Sequence, residues 1–60
     1  MKYIVVDANG IVLTNGNGME FSKDITKAKT FETFGEAMKA CIGVNVNAYN
    51  FRVKSYLPQA

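Results

Sequence analysis

The side chains that could do chemistry in this chain are a single cysteine and five carboxylates. A thiol or hydroxyl nucleophile needs a neighbouring base, and the chain contains no histidine to act as one. Without histidine, no ordinary zinc or copper site is expected either. Cys41 falls within an apolar helical pattern, where a thiol is typical of a small buried hydrophobe. We therefore predict no catalytic residue, no cofactor and no metal site.

The carboxylates are scattered along the chain and do not converge on a motif. Two of them have structural explanations, because Asp24 and Glu36 are predicted to cap helical turns. A domain of 60 residues also has little room for the cleft of roughly 300 Å³ or more that small-molecule sites commonly occupy. The five acids are Asp7, Glu20, Asp24, Glu32 and Glu36. The chain is therefore not expected to be an enzyme.

Length and composition predict a single folded domain over residues 1–60. An apolar fraction of 48% and seven aromatic side chains, counted as three Tyr and four Phe, are typical of globular chains. The net charge of +2 is too small to indicate a polyanionic partner by itself. A lone cysteine excludes an internal disulfide, and the apolar run over 3–6 is too short for a signal peptide or membrane span. We expect a cytoplasmic protein with no membrane partner.

The elements that would position any functional side chain are organised around one helix. Thr33 and Glu36 have the spacing of a capping box, so a helix is predicted over Thr33–Ile42, with Gly43 closing it. The apolar residues recur with helical period and are expected to face a sheet. They are Phe34, Ala37, Met38, Cys41 and Ile42.

A β-hairpin is predicted before this helix. Residues 1–8 are rich in β-branched and aromatic side chains, and Asn9-Gly10 suits a two-residue type I′ turn. In that register Val6 faces Leu13 and Asp7 faces Val12. One face then carries Ile4, Val6, Ala8, Ile11 and Leu13, and the other carries Tyr3, Val5, Asp7, Val12 and Thr14. A shift of one residue would exchange these sets.

The rest of the chain is predicted to connect and close this sheet. Asn15–Gly18 is predicted to form a loop, and Asp24 is predicted to cap one helical turn that ends at Ala28. Ile25, Ala28 and Phe31 are expected to point inward, while Lys23, Lys27 and Lys29 stay solvated. Residues 51–57 alternate as a last strand, with Phe51, Val53, Ser55 and Leu57 on the helix side. Pro58 ends that strand, and 58–60 form a frayed tail.

These elements predict an α+β fold in the order β-β-(turn)-α-β. The sheet is antiparallel and three-stranded, with a fourth strand left open between Met19–Phe21 and Val44–Ala48, and one helix covers one of its faces. The predicted core comprises Ile4, Val6, Ile11, Leu13, Phe21, Phe31, Phe34, Met38, Cys41, Ile42, Phe51 and Val53.

One helix covers one face of a small sheet, so the opposite face is the candidate site. Its aromatic, apolar and basic composition resembles that of protein interfaces. The residues predicted to bind a partner are Tyr3, Val5, Val12, Thr14, Arg52, Lys54 and Tyr56. The first interpretation is a protein-binding module whose partner is another protein or a second copy. The alternative is a single-stranded nucleic-acid platform in which Tyr3 and Tyr56 stack bases and Arg52 and Lys54 neutralise phosphates.

The order of these elements is similar to that of small uncharacterised proteins encoded by phages and other mobile elements. The residues that carry the resemblance are Phe21, Asp24, Ala28, Phe31, Thr33, Glu36 and Ala37. The closing part also resembles a short phage inhibitor of bacterial RNA polymerase, although the acidic strip of that inhibitor has no counterpart here. The resemblance implies an accessory protein that inhibits or redirects a host protein, and it transfers no site residue.

Overall fold

A computed structural model describes residues 2–15, 20–47 and 49–56. Its strands are β1 (Lys2–Asp7), β2 (Val12–Leu13), β3 (Phe21–Ser22) and β4 (Phe51–Tyr56), and its helix is α1 (Phe34–Asn45). A short 3₁₀ turn covers Ile25–Lys27. The strands form one open antiparallel sheet in the order β3-β2-β1-β4. The predicted α+β class is confirmed, and β3 is the fourth strand that the sequence left open.

The first hairpin differs from its predicted register by one residue. Val6 pairs with Val12, so the loop contains three residues and ends at Gly10, whose φ is +83°. A three-residue hairpin loop places its last residue in this left-handed region, which glycine adopts without strain. The Asp7 carboxylate stabilises the longer loop, because its Oδ1 accepts hydrogen bonds from the amides of Asn9 and Ile11, each at 2.9 Å.

This shift exchanges the two faces of β1 relative to the prediction. Tyr3 and Val5 pack on the helix side of the sheet, whereas Ile4 and Val6 lie on the opposite side. β2 and β4 keep their predicted faces, since Leu13 and Phe51 join the helix-side core. The assignment of the two faces of β1 was therefore wrong. Because successive strand side chains point to opposite faces, a register shift of one residue moves every side chain of β1 to the other face.

The face opposite the helix has a small core of its own. Ile4 and Val12 are 0% exposed there, and Ala28 and Tyr56 pack against them. Ala28 belongs to the connection between β3 and α1, in which Asp24 caps the 3₁₀ turn as predicted by accepting from the amide of Thr26. Ile25 was expected to point inward but is 42% exposed.

The same connection is joined to the sheet by backbone hydrogen bonds. The amide of Lys29 donates to the carbonyl of Leu13 at 2.9 Å, and Phe31 and Tyr3 exchange two bonds of 2.8 and 2.9 Å. Phe31 is buried in the helix-side core, as predicted. The connection thus fills the space beside β1 beyond the point where β2 ends.

Helix α1 begins where the sequence predicted and ends later. The Thr33 hydroxyl accepts from the amide of Glu36 at 3.2 Å, which confirms the N-cap. The helix continues through Gly43 to Asn45, so the predicted end at Gly43 was wrong. Val44 and the Asn45 side chain explain the extra turn, because Val44 is buried and Asn45 bonds to β4.

The side of α1 that meets the sheet consists of small residues and one valine. Ala37, Cys41 and Val44 are buried, and Ala40 packs beside them. Phe34 and Ile42 were predicted to be core residues, but both are exposed. Short side chains let the helix lie close to the sheet, and this rotates the larger apolar residues outward.

Several predictions concern residues outside the described ranges: most of the loop over 15–18, Met19, Leu57 and the tail over 58–60. Within the described part of the chain, no helix is long and apolar enough to cross a membrane.

Candidate functional site

The seven residues predicted to bind a partner do not form one surface. Tyr3 packs edge-on against Phe34 on the helix side, with ring centroids 5.7 Å apart, and Val5 is 0% exposed. Val12 lies on the other face and is also 0% exposed. The predicted open face of Tyr3, Val5 and Val12 is therefore corrected, because the one-residue register shift moves the first two to the helix side.

The remaining members stay near the face opposite the helix or at its border. Arg52 and Lys54 are exposed, and Tyr56 is half-buried against the small core. Thr14 is half-buried, and its amide donates to the carbonyl of Glu20 at 2.9 Å. Tyr3 and Tyr56 lie on opposite sides of the sheet, so they do not form the pair of stacking platforms expected for single-stranded nucleic acid.

A second apolar surface, absent from the prediction, runs along α1. Residues at intervals of four lie near one another on a helix, and four such apolar positions, the last of them the C-cap of α1, form a row that begins beside the buried side and winds away from it. We call Phe34, Met38, Ile42 and Val46 the outer helix stripe. Phe34, Ile42 and Val46 are 51%, 58% and 79% exposed, and Met38 is half-buried.

The sequence did contain a signal for this stripe. Apolar residues occupy more of the α1 circumference than one sheet contact can bury, because the only polar side chains of this helix are those of Glu36, Lys39 and Asn45. The prediction counted Phe34 and Ile42 as core and did not include Val44, which lies beyond the expected helix end. Counting Val44 as helical would have shown that two apolar stripes compete for one sheet.

The outer edge of β4 presents backbone groups to solvent. Tyr3 and Asp7 direct hydrogen bonds away from β4, toward Phe31 and Ile11. In an antiparallel pair, their partners Ser55 and Phe51 must then direct their own N–H and C=O groups away from β1, and Val53 between them does the same. β4 therefore has an outward row of donors and acceptors.

The first position of this row is already occupied by a side chain. The Phe51 amide donates to Asn45 Oδ1 at 2.7 Å, and Asn45 Nδ2 donates to the Phe51 carbonyl at 2.9 Å. The Asn45 carboxamide thus pairs with Phe51 as a peptide group of a neighbouring strand would. Among the described residues no partner takes the corresponding groups of Val53 and Ser55, and we call this pair the open β4 edge.

Two cations flank the open β4 edge. Arg52 and Lys54 are exposed, and neither forms an ion pair or side-chain hydrogen bond with any residue that the structure describes. Their cross-strand neighbours on β1 are the apolar residues Val6 and Ile4. By contrast, Lys2 forms an ion pair with Glu32.

Cys41 has the environment of a structural thiol. It is buried, and its Sγ–H donates to the carbonyl of Phe51 at 3.1 Å. Burial raises the pKa of the Cys41 thiol, and a hydrogen bond from Asn45 Nδ2 opposes this only in part. Since the thiolate is the reactive form, this site disfavours nucleophilic chemistry.

The acidic side chains act mainly as structural acceptors. Hydrogen bonds from Thr26 lower the pKa of the Asp24 carboxyl, and the Lys2 ammonium lowers the pKa of Glu32. The Glu36 carboxylate accepts from the Thr33 hydroxyl at 3.1 Å, where the capping box predicted a bond from the Thr33 amide. In the part of the chain described, no three histidine, cysteine or acidic side chains lie together as a metal site would require.

The described residues therefore present two candidate surfaces, the outer helix stripe and the open β4 edge, and both suit contact with another molecule. The stripe offers apolar area, and the edge offers backbone hydrogen bonds beside positive charge. Comparisons with protein-family models, with curated proteins and with solved structures found no match to this chain.

Proposed function

We propose that this chain is a small non-enzymatic protein-interaction module that docks through its outer helix stripe. The observation that supports this is the exposure of Phe34, Ile42 and Val46, by half or more each, in one row along α1 and its C-cap. Single exposed hydrophobes are ordinary, whereas a contiguous row of them marks interaction surfaces. A cytoplasmic location, which an unpaired cysteine suits, is part of the proposal.

The partner that best fits the stripe is a second copy of the chain. When two such helices cross antiparallel at a point midway between Met38 and Ile42, Phe34 comes opposite Val46 and Met38 comes opposite Ile42. Each large residue then meets an aliphatic one, so the stripe is complementary to itself about a two-fold axis. From Phe34 to the C-cap Val46 the stripe extends about 18 Å, enough for both pairs of contacts on each side.

The sequence resemblance extends this proposal to an accessory protein of a phage or mobile element that inhibits or redirects a host protein. If the stripe joins two copies, the host protein must bind elsewhere on the dimer. The open β4 edge is a separate surface that a dimer formed through α1 leaves accessible.

The alternative function is binding of single-stranded nucleic acid. It is supported by the exposed cations Arg52 and Lys54 beside Tyr56, which have no ion-pair partner among the residues that the structure describes, although Tyr3 lies on the other side of the sheet. Retention on immobilised oligothymidylate that falls with salt, and that is lost in an Arg52→Ala/Lys54→Ala variant, would favour this alternative.

Sedimentation equilibrium at increasing protein concentration tests the docking proposal. Wild type should reach the mass of a dimer, and Ile42→Lys should weaken association at least about tenfold, because it places a charge inside an apolar contact. Gly43→Lys is the matched control: it adds the same charge one residue away, outside the stripe, where a new Cβ meets no atom within 4 Å. A wild-type protein that stays monomeric, or equal weakening by both variants, would contradict the proposal.

A further inference from the structure

We propose that the open β4 edge binds an extended acidic segment of a partner protein as an added strand. This inference rests on the proposed protein-binding function, but it uses a surface separate from the outer helix stripe. The segment is defined by its chemistry: a peptide backbone to pair with Val53 and Ser55, and acidic side chains to meet Arg52 and Lys54.

The backbone groups favour a peptide over other ligands. Val53 and Ser55 each offer one N–H and one C=O along the same edge, and an incoming strand matches this alternation of donors and acceptors. A phosphate chain supplies acceptors only, so it would leave both carbonyls without a donor. Asn45 already pairs with Phe51 through a carboxamide in this row, which shows that the edge accepts a peptide-like group and sets where an added strand begins.

The positive charges of Arg52 and Lys54 indicate which side chains the added peptide carries. On one side of β4, the cross-strand neighbours of Arg52 and Lys54 are Val6 and Ile4, which offer no counter-charge. An added strand would lie along the outer edge of β4, away from β1. Two of its side chains, two residues apart in its sequence, would lie directly beside Arg52 and Lys54. Acidic residues at both positions would therefore complement this edge.

The residue between the two acids is also constrained. It would lie beside Val53, which is half-buried and packs against the helix-side core. An apolar side chain there would extend that core outward. The geometry thus points to a segment that alternates acidic and aliphatic residues.

The same charges disfavour a second copy at this edge. If two β4 strands paired antiparallel through Val53 and Ser55, Lys54 would face Lys54 of the other copy. A register shifted to pair the two Val53 residues would place Arg52 opposite Lys54. Like charges directly opposite one another destabilise a strand pair, and lysine on an exposed edge commonly prevents such self-pairing. The edge is therefore left for a partner of opposite charge.

A synthetic peptide tests this inference directly. The probe is an acetylated and amidated hexapeptide, Thr-Glu-Val-Glu-Val-Thr, and its control carries Lys in place of both Glu residues. At saturation the Glu peptide should slow hydrogen exchange at the amides of Val53 and Ser55, while those of Arg52 and Lys54, already bonded to β1, change little. The Lys peptide should bind about tenfold more weakly, given the size of cross-strand charge effects.

Charge reversal on the protein provides the matched experiment. Arg52→Glu/Lys54→Glu alters only exposed side chains, so the fold should persist, and the variant should prefer the Lys peptide over the Glu peptide. Ile42→Lys should bind the Glu peptide as wild type does, because its change lies in the outer helix stripe. A wild-type chain that stays monomeric yet binds the Glu peptide would contradict docking through the stripe but support the edge.

Three results would overturn the inference. The first is no change in exchange at Val53 and Ser55 with saturating Glu peptide. The second is equal binding of the Glu and Lys peptides. The third is tighter binding of oligothymidylate than of the Glu peptide, in which the NMR signals of Arg52 and Lys54 shift while the amides of Val53 and Ser55 are not protected from hydrogen exchange. That result would assign this surface to nucleic acid.

Discussion

Asp7 is the residue at which the register of the first hairpin is set. Its carboxylate accepts from two amides of the loop, those of Asn9 and Ile11, and its own carbonyl accepts from Gly10 at 3.2 Å. These three bonds hold a loop of three residues. The register that follows places Val5, and not Val6, against the helix.

Replacing Asp7 with Ala should destabilise the protein by about 1–3 kcal/mol, because two amides lose a charged acceptor and that of Ile11 is partly buried. Asp7→Asn is the matched control, since its carboxamide oxygen can accept the same bonds, and it should cost less. Urea unfolding followed by circular dichroism measures both. A value for Asp7→Ala within about 0.5 kcal/mol of wild type would show that the loop does not depend on the carboxylate.

At the scale of elements, the connection between β3 and α1 joins the two cores of the molecule. It places Ala28 on the face opposite the helix and Phe31 in the helix-side core. The Asp24 cap and the ion pair of Lys2 with Glu32 stabilise its two ends. Both interactions require an ionised carboxylate.

The connection should therefore lose stability in acid. The folded state lowers the pKa of Asp24 below its ordinary 3.8 and that of Glu32 below 4.5, so each carboxylate favours folding above the unfolded pKa. This contribution is lost as the pH falls from these values through the lower folded ones. Urea unfolding at pH 7 and pH 3 should show a smaller acid loss for Glu32→Gln than for wild type. Glu20→Gln, an exposed change outside the connection, serves as the control, and equal acid loss in all three proteins would refute the assignment.

At the scale of the whole molecule, a chain of 60 residues buries a limited share of its surface, and association through the stripe would add to it. Linkage then requires that stability rise with protein concentration, since only the folded chain dimerises. The two proposed surfaces occupy different elements, so we expect dimerisation and strand addition to be compatible.

The melting temperature of wild type should accordingly rise by about 5 °C over a roughly hundredfold increase in concentration. That of Ile42→Lys should stay nearly constant, because the stripe no longer associates. Differential scanning calorimetry provides the measurement. A wild-type melting temperature that does not depend on concentration would argue against a dimer.

The sequence by itself determined the features that depend on neighbouring residues. The caps at Thr33 and Asp24 and the alternation along β4 follow from local hydrogen bonding and side-chain period, so they could be predicted. The α+β class followed from their order along the chain. The open β4 edge could be anticipated only in general, as the border of a closing strand with Arg52 and Lys54 on it.

Only the tertiary structure decided the faces. A strand of alternating apolar residues can pack on a sheet with either face toward the helix. One loop residue more than predicted, between Asp7 and Ile11, reversed the faces of β1. Helix α1 has two apolar stripes, and sheet contact selected the one with small side chains around Ala37 and Cys41. Both outcomes depend on packing between residues distant in sequence, which local periodicity does not encode.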